Sequence, residues 1–168
     1  NLLEGEGPVF GPAFSVHGGV HEALGLRRAR VVFHTHQTAA TALACLKEFD
    51  TKVVPILSNV CASLAGKVAF DPLYNGIVNT RQEGLRLARA MGDASVLFMA
   101  NHGITVCAST VSEALYLIWQ TEVASNRAIQ ILSGANVLSD NYDKQLAEQQ
   151  GDFIQRVSAL PECGPPGQ

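Results

Sequence analysis

The five histidines of this chain fall in three places: His17 with His21, His34 with His36, and His102. His34, Thr35 and His36 follow directly on the β-branched and aromatic run Val31 to Phe33. Along an extended backbone, residues two apart point to the same side, with Cα atoms about 7 Å apart. Two imidazoles so placed can converge on one metal ion, each at about 2.0–2.1 Å. A third candidate is His102, between Asn101 and Gly103 in a turn that ends another apolar run. Gly103 is expected to give that backbone the freedom to aim the histidine inward. Three neutral imidazoles leave coordination positions open, as a catalytic metal site requires. The spacing alone is also compatible with histidines that never meet, because an H-x-H pair occurs often by chance. Imidazole donors suit zinc, manganese, iron, cobalt or nickel about equally.

His17 and His21 stand four apart and would share one helix face. They offer a proton-transfer group or a further ligand. The alternative is a helix cap and a satisfied polar contact at the cleft wall.

These residues need elements to hold them. Residues 1–16 are rich in glycine and proline and read as irregular chain, with a short helix from His17 to Leu24 weakened by Gly18 and Gly19. Strands are expected at Ala29 to Phe33, Lys67 to Phe70, Ser95 to Met99 and Ile104 to Ala108. A further apolar run, Val53 to Leu57, is held to an edge or a connection by Pro55. Helices are expected at Thr38 to Lys47 and, more briefly, at Ser58 to Ala65. Two T-x-x-E capping boxes, Thr80 to Glu83 and Thr110 to Glu113, open helices that Gly92 and Gly134 end. A last helix is placed at about Tyr142 to Val157. Strands and helices alternate without a linker, which predicts one α/β layered domain over residues 1–160 and a flexible tail over 161–168.

The 168 residues are 47% hydrophobic, enough to close a core. Only 16% are charged, where about a quarter is usual. A thick buried sheet or surface covered by sister subunits would account for that. A net charge of -3 without Lys/Arg runs excludes nucleic acid as the expected partner. No apolar stretch reaches the ~18 residues of a membrane span. Cys45, Cys61, Cys107 and Cys163 have no paired spacing, and three sit in apolar surroundings. Free thiols and a reducing, cytoplasmic location are therefore expected.

The segment VVFHTHQTAATALA resembles the strand, H-T-H and small-residue helix signature of the class II aldolase/adducin family. Residues 98–124, FMANHGITVCASTVSEALYLIWQTEVA, resemble its second signature of strand, N-H-G, strand and T-x-x-E-A helix. The resemblance covers roughly residues 10–135, with both motifs in order. It implies a three-layer α/β/α sandwich with a central mixed, mostly antiparallel sheet. It also implies a divalent metal, Zn²⁺ first and Mn²⁺ second, on His34, His36 and His102. Thr35 and Asn101 would orient those ligands. The implied chemistry is Lewis-acid stabilisation of an enediolate or enolate during carbon–carbon cleavage or decarboxylation of a small oxygenated substrate. A homo-oligomer, a tetramer by resemblance, is implied too.

The chain departs from the aldolase pattern upstream. Where those aldolases carry a proton-shuttling glutamate, four residues before the helix-starting histidine, this chain has Ala13 before His17. Alanine does no acid/base work, so His17 becomes the candidate catalytic residue. Phe14, His17 and His21 form the F-x-x-H-x-x-x-H pattern of the adducin-like branch. That supports the alternative of a non-catalytic assembly module, with the actin cytoskeleton as partner. The spacing from His21 to His34 is two residues longer than usual. The family's phosphate-binding loops have no counterpart, Glu4 and Glu6 reading as solvated charges, and the domain is expected to lack its N-terminal part. Tyr74 is read as packing rather than as cleft lining.

Overall fold

The computed structural model describes residues 7–47 and 59–133. Its elements in chain order are α1 (Gly11–Arg28), β1 (Val31–Thr35), α2 (Thr38–Ala44), a 3-10 segment (Asn59–Leu64), β2 (Val68–Asp71), α3 (Arg81–Met91), β3 (Val96–Met99), β4 (Gly103–Ala108) and α4 (Val111–Ser133). The strands form one sheet in the order β1-β4-β3-β2. β4 runs antiparallel to both β1 and β3, while β2 runs parallel to β3. The sheet is thus mixed and mostly antiparallel, as the resemblance implied.

Alternation along the strands builds two cores, one on each face. Val96, Phe98, Ile104, Val106 and Ala108 point to α2 and α4. Leu97, Met99, Cys107 and Val32 point to the other face, against Val16 and Val20 of α1 and Leu87, Ala88 and Met91 of α3. Helices on both faces leave β3 and β4 buried along their whole length. This explains why both strands read as unbroken apolar runs.

Several elements differ from their sequence reading: β1 runs on to Thr35, so that His34 lies within it, the helix expected from Ser58 is a 3-10 segment, and two helices have other bounds. The first helix starts at Gly11 rather than His17. Pro12 lies in its first turn, where a missing N–H costs nothing. The glycine pair does not break it, because Gly19 is where α1 crosses α3: a Cβ there would lie 2.2 Å from the Gly84 carbonyl carbon. Close helix packing overrides local propensity. The helix turns aside at Gly25, whose φ of 69° and ψ of 167° only glycine adopts readily. α2 ends at Ala44, short of Lys47, which leaves Cys45 exposed rather than in apolar surroundings. Cys107 is free and buried. The readings at Val53 to Leu57, at Tyr142 to Val157 and over the tail lie outside the described residues. Among the described residues, no helix is long and apolar enough to cross a membrane.

Candidate metal centre

β1 and β4 lie side by side, and this brings the two histidine motifs together. Thr35 pairs with Ile104 and His34 with Thr105. The chain leaves β1 at His36 just where the turn before β4 presents His102. The ring centroids of His34 lie 4.8 Å from those of both His36 and His102, and His36 to His102 is 5.0 Å. One ligand atom from each of the three lies within 4.8 Å of the others. Around a tetrahedral ion with bonds of about 2.0–2.1 Å, nitrogens stand about 3.4 Å apart. Closing the triad on an ion would draw the farthest-apart ligand atoms together by at most about 1.4 Å.

The donor chemistry fits a divalent cation. His34 Nδ1 donates to the Ile104 carbonyl at 3.0 Å, with Thr105 Oγ1 at 3.2 Å. A carbonyl can only accept, so Nδ1 carries the proton and Nε2 keeps its lone pair for a metal. Burial, then the neighbouring His102 and His36, push the His34 pKa down to about 4. Burial, with His36 beside it, also lowers His102. Both rings are thus neutral at neutral pH, as ligands must be.

A pH dependence follows. The unfolded chain takes a proton on His34 near the ordinary value of about 6.5, while the folded site refuses it until about 4. Between those values the unfolded state binds more protons, so stability falls as pH drops through that window. Glu83 and Glu113 are held below the carboxylate range by Arg86 and Ser109 respectively. Their contributions are lost only at lower pH. Chelator-treated protein should melt at lower temperature at about pH 5 than at about pH 7, and the slope should shrink in His34→Asn. A flat profile over that window would contradict this account.

The residues around the triad explain its geometry. In the turn after β3, the left-handed position is Asn101, with φ of 54°, not Gly103. Gly103 instead serves close approach: a Cβ there would lie 2.5 Å from the Thr35 carbonyl oxygen and 2.7 Å from His36 Cδ2. Asn101 is exposed, and its backbone N–H bonds the Ala44 carbonyl at 3.0 Å. Thr35 Oγ1 is buried without a hydrogen-bond partner among the described residues. The ring of His34 is oriented by Thr105 and the Ile104 carbonyl, which the sequence reading missed; a threonine amid the apolar Ile104 to Ala108 run was the available signal. Glu122 of α4 was missed as well. Its carboxylate accepts from the Ala39 and Ala40 N–H groups at 2.9 and 3.0 Å, fixing the start of α2 just after His36.

His21 Nδ1 donates to the Ala29 carbonyl at 2.6 Å, tying α1 to the approach to β1. His17 is half-buried, and burial with His21 nearby lowers its pKa. His17 also contributes to the lowering of His34, although it stands outside the three-histidine group. A cavity of about 380 Å³ opens against the triad, walled by Phe10, Ala13, Val16, Tyr74, Ile77 and Val78. Tyr74 is 55% exposed, with its ring 6.5 Å from that of His102. It lines the cleft, contrary to the packing reading.

The sequence profile of the Class II Aldolase and Adducin N-terminal domain matches residues 2–129. The chain belongs to this family. An adducin-related protein of Schizosaccharomyces pombe is 28% identical over 137 residues, covering 80% of this chain and 39% of that protein. The decarboxylase NovR of Streptomyces niveus is 25% identical over 133 residues, covering 79% of this chain and 46% of that one. The crystal structure of an aldolase II superfamily protein from Pseudomonas syringae superimposes with a TM-score of 0.64 at 24% identity, over 89% of this chain and 63% of that one. That likeness carries the class II aldolase fold. The chain spans less than half the length of these two curated relatives.

Proposed function

We propose that this class II aldolase/adducin domain holds one divalent cation, Zn²⁺ or Mn²⁺, on His34, His36 and His102 and acts as a carbon–carbon lyase on a small oxygenated substrate. The convergence of the three imidazoles beside a cavity carries this reading. When bound, the cation supplies the Lewis acidity that stabilises an enediolate or enolate as a carbon–carbon bond breaks. The chain's own part is to hold the His34 ring in place through Thr105 and the Ile104 carbonyl, and to line the cavity beside it with the buried Val16 and Val78. His17, which acts electrostatically on His34 without itself being among the cavity-lining residues, is the group assigned proton transfer, since Ala13 can move none. Thr35 and Asn101 belong to the same reading as supports of the ligands. A homo-oligomer, a tetramer in the fullest form, is part of it too, supported by the exposed apolar Phe14, Leu115 and Trp119; the location proposed for it is cytoplasmic.

A second reading is a non-catalytic assembly module with actin-cytoskeleton partners. Ala13 in the cavity wall and the adducin-related protein of Schizosaccharomyces pombe favour it.

Metal analysis of purified protein should find about one ion per chain, lost in His34→Ala with the fold kept. The metal-loaded protein should cleave or decarboxylate members of a panel of hydroxy-ketones, aldol products and oxo-acids. His17→Gln should lower turnover while metal content holds. Protein that folds normally but takes up no metal would overturn the lyase reading. Metal without turnover across the panel would turn the assignment to the assembly module.

A further inference from the structure

The polarity of the cavity is divided. The three imidazoles line one part; most of the remaining wall is hydrocarbon, with Val16 and Val78 buried and Phe10, Tyr74 and Ile77 exposed, and it carries one neutral amide, the exposed Asn79. Phe10 and Ile77 are 73% and 71% exposed, apolar surface that a ligand arm would cover. Among the described residues, no lining side chain is a carboxylate, an ammonium or a guanidinium. Arg86 borders the same loop, but its guanidinium is held by Asp71 at 2.7 and 2.8 Å and by Glu83 at 2.7 and 3.0 Å. Arg81 is likewise paired with Glu22.

From this division we propose that the cavity takes a substrate with a small chelating oxygen head joined to an uncharged aromatic or branched aliphatic arm, and discriminates against a phosphorylated arm. The inference rests on the metal-centre reading and specifies its substrate. A phosphate dianion against these walls would lose hydration and find no counter-charge. A ring or branched chain would bury its own apolar surface and that of Phe10, Tyr74 and Ile77. At about 380 Å³ the space lies in the range of small-molecule sites. Orientation follows, since the imidazoles stand together and the rest of the wall offers an arm only the neutral Asn79 amide and the Tyr74 hydroxyl as polar groups.

Calorimetric titration of the metal-loaded protein with three hydroxamates of common head and different arm tests this. Benzohydroxamate carries a ring, acetohydroxamate a methyl group, and phosphoglycolohydroxamate a phosphate. Benzohydroxamate should bind at least about tenfold tighter than acetohydroxamate, and phosphoglycolohydroxamate no tighter than acetohydroxamate. Ile77→Lys, at an exposed position, should narrow the first ratio and raise affinity for the phosphorylated probe. Phe10→Ala should weaken benzohydroxamate several-fold and leave acetohydroxamate unchanged. Tightest binding of the phosphorylated probe, or equal binding of the ring and methyl probes, would overturn the apolar-arm proposal while the metal centre stands. If none of the three binds the metal-loaded protein above the chelator-stripped control, the metal-centre reading fails and takes the proposal with it.

Discussion

Gly84→Ala should lower stability by about 3 kcal/mol or more, the upper end of what overpacking costs. For a chain of this size that corresponds to a melting point lower by about 6–12 °C. A Cβ at Gly84 would lie 2.0 Å from the Ser15 carbonyl oxygen and 3.2 Å from Gly19 Cα. Those are backbone atoms of α1, and no side-chain rotation relieves the clash. The two helices would have to part, opening the layer that buries Val16, Val20 and Leu87. Gly18→Ala provides the control within the same helix. A Cβ at Gly18 meets nothing within 4 Å, so the alanine should stabilise by about 0.5–1 kcal/mol through helix propensity. Thermal unfolding followed by circular dichroism reads both. If Gly84→Ala melts with the parent protein, the close crossing of α1 and α3 is wrong.

Arg86→Met is expected to cost about 3–5 kcal/mol, as removal of one partner of a buried ion pair does. Asp71 ends β2 with only 2% of its side chain exposed, and Arg86 holds both carboxylate oxygens. The Asp71 hydrogen bond, with Glu83 behind it, keeps the Arg86 pKa above its ordinary value. Without the guanidinium, the Asp71 carboxylate would retain the Leu73 N–H at 3.2 Å as its hydrogen-bond donor among the described residues. Replacing both residues, Arg86→Met with Asp71→Asn, should recover part of the loss, because the more deeply buried carboxylate is then no longer charged, while Glu83 still loses its guanidinium partner. Urea denaturation of the single and double variants gives the comparison. A single variant as stable as the parent would show that solvent reaches Asp71 and that the pair is not buried. Ligand binding is the second readout. Asp71 and Glu83 brace the loop that carries Tyr74 and Ile77, through Leu73 and through Asn75 at 3.2 Å.

The site was more legible in the sequence than the elements around it. His34 and His36 are two apart on a strand end, and His102 follows the apolar Val96 to Met99 run; both patterns are local. Their meeting is not local, because it depends on β1 lying beside β4, and only the family resemblance joined them. The capping boxes were legible for the same local reason: Thr80 and Thr110 accept from the Glu83 and Glu113 N–H groups at 3.2 and 3.1 Å. The start of α1 was hidden because glycine and proline at Gly11, Pro12, Gly18 and Gly19 argue against helix. Contact with Gly84 supplies the reason for Gly19, and that partner lies far along the chain. Glu122 was hidden likewise. An acidic residue within α4 carries no local sign that its carboxylate is bonded to the first turn of α2.

The register of β1 against β4 has a mechanical consequence. The two histidine motifs come from distant stretches of the polypeptide that are joined side by side at one end of the sheet, so a cation gripped by all three rings fastens those stretches together as a rivet would. On the proposed metal site, folding and metal uptake would be coupled: the grip would exist only in the native state, and every increment of free cation would draw molecules out of the unfolded pool.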